Sequence, residues 1–135
     1  MKKKTVANIV VEISKDGFYS CYCTDEFEHF ALFGYGDSAK EAKKDLVASY
    51  HEIKEMLEYE GKEVPELEFV WHYDMKSFFN YFDFLNVSKV AERAGINPSL
   101  MRRYASGISN ASEQQYEKLE QAVKEFSREL VEAEF

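Results

Sequence analysis

The side chains of this chain best suited to chemistry are its arginines. All four lie at or beyond position 93, and Arg102 and Arg103 are adjacent. A guanidinium presents a planar fork of donors that matches phosphate and the O6/N7 edge of guanine. Between positions 87 and 111, Lys89, Arg93, Arg102 and Arg103 are opposed by Glu92 alone, a local charge of +3 in a chain of net charge −8. Residues 1–70, by contrast, carry 9 lysines, no arginine and 15 carboxylates. An anionic partner feels the local excess rather than the total.

Other reactive groups point away from catalysis. Metal-dependent hydrolysis needs several carboxylates converging on the ions, and Glu12 has no such companions on the neighbouring segments. His29, His51 and His72 are scattered, without nucleophile or ligand spacing. Cys21 and Cys23 are the only cysteines. They sit two apart on an expected strand, where side chains point the same way and a bridge is disfavoured. A lone C-x-C is a poor zinc site. The expectation is reduced thiols, no metal, no cofactor and no enzyme.

The elements that position these groups fall into two sets. Ala7, Ile9, Val11 and Ile13 alternate along residues 5–14, a half-buried strand. Lys15-Asp16-Gly17 is a turn signal; strands follow at residues 18–23 and 30–35, across a polar loop at 24–29. Ser38-Ala39-Lys40-Glu41 fits a capping box. It opens a helix with Ala39, Ala42, Leu46, Tyr50, Ile53 and Leu57 on one face, stopped at Gly61. Leu67, Phe69, Trp71 and Tyr73 mark a fourth strand. The expected fold class is α+β: a β-β-β-α-β antiparallel sheet with one helix over residues 1–73, then an all-α domain over 74–135.

In that second domain, helices are expected at 75–82, 87–94, 98–106 and 113 to about 132. Ala91 is small where two steeply crossing helices approach, and Gly95 tolerates the turn between them. Ile96 plugs the corner, with Val90, Ala94, Met101 and Tyr104 closing a small core. Asn97 and Pro98 form a sharp helix start, and Gly107 a stop. These features, in register over roughly residues 82–123, resemble the helix-turn-helix of lambda-repressor-like (Xre-type) regulators.

The resemblance implies that the helix opened by Pro98 enters the major groove of operator DNA. Carried over by position, it makes Ser99 and Arg103 the leading base readers. Asn97 and Arg102 read bases or clamp the flanking backbone. Ser88, Lys89, Ser109 and Asn110 contact phosphates. Leu100 departs from the pattern by being apolar, and either touches a thymine methyl or packs inward.

The first domain has a likeness of its own. Gly17-Phe18-Tyr19 in a hairpin, Gly34-Tyr35-Gly36-Asp37 closing the third strand, and Ser38-Ala39-Lys40-Glu41-Ala42 opening the helix are similar to the HicB antitoxin family. That family carries a partial ribonuclease-H-like domain, often followed by a DNA-binding domain. Its Pro-Asp-Leu-Pro-Gly-like loop is replaced here by Cys23-Thr24-Asp25-Glu26-Phe27-Glu28. The resemblance implies neutralisation of a HicA-type toxin, a small basic ribonuclease acting on messenger RNA, with operator binding as an autorepressor. The alternative is a stand-alone regulator whose first domain oligomerises or senses a ligand.

On the last helix Tyr116, Leu119, Val123, Phe126 and Leu130 form an apolar stripe. Phe126 and Leu130 reach past the small core, toward a two-fold dimer interface or the first domain. A dimer suits a palindromic operator. No apolar run approaches the ~20 residues that span a bilayer. The basic start at Met1-Lys2-Lys3-Lys4 lacks the apolar region and cleavage site of a signal peptide. The expected location is the cytoplasm.

Overall fold

A computed structural model describes residues 4–135, so the first three residues of the basic start lie outside it. The chain divides into two compact units, Met1–Asp74 and Met75–Phe135. The first contains strands β1 (Thr5–Ile13), β2 (Tyr19–Cys23), β3 (Phe33–Gly36) and β4 (Leu67–Tyr73), with helix α1 (Ala39–Tyr59) between β3 and β4. Sheet order is β3-β2-β1-β4. Among the described residues no helix is long and apolar enough to cross a membrane.

The sheet is mixed, which corrects the antiparallel arrangement expected. β1 pairs antiparallel with β2 (Val11 opposite Cys21) but parallel with β4 (Ile9 opposite Trp71). Hairpin turns reverse direction and give antiparallel neighbours, whereas a helix carried across the sheet returns the chain in the same sense. α1 is that crossover, delivering β4 to the free edge of β1.

Alternation sets which side of the sheet is covered. Ala7, Ile9, Val11, Tyr19 and Cys21 are buried, as are Ala39, Ala42, Leu46, Tyr50 and Leu57 of α1. α1 packs against β1, β2 and β3. Its closest approach is over β3: a Cβ at Gly34 would overlap the carbonyl oxygen of Ala42, and one at Gly36 would lie 2.6 Å from Glu41 Cβ. Only glycine lets the backbones come so near. Val6, Phe33, Tyr35 and Val70 of the alternate positions stay exposed.

Two local details differ from the sequence pattern. Ser38 Oγ accepts from the N–H of Glu41 at 3.1 Å, but the Glu41 carboxylate accepts from Asp37 N–H at 2.9 Å, one residue before the reciprocal partner of a capping box. The third strand starts at Phe33 rather than at residue 30, because Phe30 stacks on Phe27 (centroids 4.8 Å apart) instead of joining the ladder.

The second unit comprises α2 (Met75–Tyr81), α3 (Val87–Ala94), α4 (Pro98–Ser106) and α5 (Glu113–Glu132). Its core is Met75, Phe79, Val90, Ala91, Ile96, Met101, Tyr104 and Leu119. Leu100 is half-buried and packs partly against this core.

Candidate nucleic-acid interface

The α3–turn–α4 segment is fixed at each end by short polar side chains. Asn86 caps α3, its Oδ1 accepting from Lys89 N–H at 3.1 Å. Gly95 ends α3 with φ 70° and ψ 30°, the left-handed conformation that reverses the chain. Asn97 then caps α4, its Oδ1 accepting from Ser99 N–H (2.9 Å) and Leu100 N–H (3.2 Å). Asn97 is exposed, but with that oxygen committed only its side-chain NH2 remains to donate to a partner.

Met101 and Tyr104 point α4 into the core, so the opposite face carries Ser99, Arg102, Arg103 and Ser106, all exposed. Arg102 is held in place: Nη1 donates to Ser88 Oγ at 2.7 Å and Nη2 to Ser99 Oγ at 3.0 Å. One guanidinium thus links the first turns of both helices through hydroxyls, with no carboxylate partner among the described residues. Its charge is uncompensated. Arg103 uses its backbone carbonyl to close the α4 terminus, and its side chain makes no ion pair among the described residues.

The other cations are quieter than the sequence suggests. Lys89 Nζ lies 3.6 Å from Glu92, and Arg93 pairs with Glu129 on α5. Both pairs are exposed and worth at most about 1 kcal/mol each; Glu92 is already counted in the local excess, and Glu129 is a further charge set against it. Ser109 is half-buried, its N–H 3.4 Å from the Arg103 carbonyl, and Asn110 is exposed beside it. The structure therefore gathers Ser88, Ser99, Arg102 and Arg103 on one surface. The pairing of Arg93 with Glu129, and the role of Ser88 as an acceptor for Arg102, were not legible from spacing.

The α5 stripe divides. Leu119 and Ala122 are buried, and Tyr116, Val123 and Phe126 pack partly against the core. Leu130 is 64% exposed and lines, with Phe84, Leu85, Val90 and Phe126, an apolar groove of about 380 Å³ between α3 and α5.

The groups considered for catalysis are placed apart. Glu12 is exposed and accepts from Tyr22 OH at 3.2 Å. His72 Nε2 lies 2.9 Å from Asn8 Oδ1, His29 sits 3.8 Å from Glu28, and the His51 ring meets Tyr50. No group of three His, Cys, Asp or Glu among the described residues is placed to hold a metal ion. Cys21 and Cys23 are free thiols. Burial, then the nearby Asp45 charge, pushes Cys21 up to about 11, which keeps it protonated and unreactive at neutral pH. No family model, curated protein or solved structure matches the chain.

Proposed function

We propose that this chain is a HicB-like antitoxin that binds operator DNA through α3 and α4 and neutralises a HicA-type, mRNA-cleaving toxin in the cytoplasm. The observation that carries the DNA half is the exposed face of α4, where Arg102 and Arg103 have no acidic partner among the described residues and stand beside Ser99 and Ser88. Arg103 and Ser99 read base edges. Arg102, shared between two hydroxyls, sits between the bases and the backbone, as does the amide of Asn97. Ser88, Lys89, Ser109 and Asn110 meet phosphates. The protein acts by binding and uses no cofactor.

The antitoxin half rests on the resemblance of the first unit, whose β-β-β-α-β element order is the one that resemblance implies. The exposed apolar positions Val6, Phe33, Tyr35 and Val70 suit a partner surface. They equally suit self-association in a stand-alone regulator. A homodimer, paired through the groove at Leu130, would place two α4 helices on one palindromic operator.

Operator selection from a random duplex pool tests the DNA reading. Arg103→Ala should cost about 1 to 3 kcal/mol on the selected site and relax preference at one position. Lys89→Ala should weaken all sequences alike and flatten the salt dependence. Identical behaviour of the two variants refutes the roles given. Co-expression with the product of a neighbouring reading frame tests the toxin half: growth rescue supports it, and failure to rescue or to co-purify leaves the regulator alone.

A further inference from the structure

A second cationic surface adjoins the α4 face and was not visible in the sequence. α2 and α4 flank a cleft of about 440 Å³. Each helix sends two polar side chains one turn apart into it: Lys76 and Asn80 from α2, Arg102 and Ser106 from α4. Phe79 and Val87 supply apolar wall. Every polar group lining the cleft is a cation, an amide or a hydroxyl. Lys76, like Arg102, has no ion pair among the described residues. The groove between α3 and α5 differs, since its Arg93 is neutralised by Glu129.

Lys76 is also guided. A Cβ at Gly107 would meet Lys76 Cδ at 2.8 Å, so the absence of a side chain there leaves a track for the lysine stem. Lys76 is half-buried, its stem passing beside Gly107 at the end of α4, and the residue lines the cleft. A site with two cations, hydrogen-bond donors and no carboxylate selects an anion, and its position beside Arg102 selects one on a bound duplex.

We propose that this cleft seats a backbone phosphate of the duplex whose bases α4 reads, with Lys76 of α2 and Arg102 of α4 closing on it from two sides. The inference rests on the DNA-binding reading above. It adds α2 as a backbone-contacting element and makes Arg102 a phosphate ligand held by Ser88 and Ser99, leaving base discrimination to Arg103.

The test uses the full chain, a mixed-sequence duplex and the slope of log affinity against log salt. Lys76→Met keeps the stem over Gly107 and removes the charge; Lys76→Arg keeps the charge. One lost phosphate contact lowers the slope by about 0.9, and affinity near 0.1 M salt by about 5- to 10-fold. Lys76→Met should show both effects with an unchanged thermal midpoint, and Lys76→Arg neither. Inorganic phosphate at constant ionic strength should leave the wild-type midpoint unmoved. If Lys76→Met matches wild type on the duplex while Arg103→Ala weakens it, the cleft assignment is wrong and DNA binding stands. A midpoint raised by phosphate in wild type but not in Lys76→Met, with duplex affinity unchanged, assigns the cleft to a free anion and overturns the proposal. Wild-type protein that binds no duplex removes the parent reading as well.

Discussion

Two glycines allow the turn and the sheet to be tested against each other by the same substitution. At Gly95 an added Cβ would meet nothing within 4 Å, so Gly95→Ala creates no clash. Its cost is the left-handed backbone, about 1 to 2 kcal/mol for an L-residue, offset by about 0.4 to 1 kcal/mol of reduced chain entropy when unfolded. The net is a loss of no more than about 1.6 kcal/mol, smaller for Gly95→Asn because Asn tolerates that region. At Gly34 the added Cβ would overlap Ala42 O and come within 2.8 Å of Leu46 Cβ. Backbone cannot rotate aside, so α1 must lift off β3, at a cost of about 3 kcal/mol or more. Urea denaturation followed by far-ultraviolet circular dichroism and by Trp71 fluorescence separates the cases, because Trp71 lies in β4 of the first unit. Gly34→Ala should shift the fluorescence transition strongly, and Gly95→Ala should shift it much less. A loss above about 3 kcal/mol for Gly95→Ala, or equal losses at the two positions, would refute the turn geometry and the close helix–sheet approach together.

Two further outcomes are expected. Cys21 is held above its usual value of 9.0, at about 11, so its neutral form is favoured on folding. That stabilisation is whole below pH 9 and is lost as pH rises toward 11, by about 2 to 3 kcal/mol at most; Cys21→Ala should flatten this alkaline loss in denaturation curves taken at successive pH values, and an unchanged curve would show that the thiol does not contribute. Leu130→Glu should leave the stability of the monomer within about 0.5 kcal/mol of wild type, since the residue is exposed, yet reduce the dimer fraction in sedimentation. A monomeric wild-type protein would exclude pairing through this groove.

Periodicity located the elements well, and the departures have physical causes. Alternation in residues 5–13 and 67–73, and apolar steps of three and four in α1 and α5, reflect one face meeting a core; burial imposes such patterns directly on sequence. Strand direction leaves no comparable trace. The parallel pairing of β4 with β1 follows from the crossover of α1, a three-dimensional fact that the alternation of Leu67, Phe69, Trp71 and Tyr73 does not encode. Phe30 shows a second limit: an aromatic beside a strand extends the pattern whether it pairs in the ladder or stacks on Phe27. At the candidate interface, Gly95, Asn97, Pro98 and Gly107 were legible because turn and cap geometry restrict residue type. Lys76 was not, since a lysine in the first turn of a helix has no signature until Gly107 is seen to lie under its stem.

The crossover also orders events during synthesis. β1 is made before β2, β3 and β4 and ends up in the interior of the sheet, yet the neighbour that completes it, β4, follows some fifty residues later. Until then the ribosome-bound chain can form the β1–β2–β3 hairpins but must leave one side of β1 with unpaired amides and carbonyls, a template for wrong partners. A nascent or cleaved fragment stopping short of Leu67 would therefore carry its most apolar strand as a sticky edge. Quality control that removes such fragments would keep only chains long enough to close their own sheet.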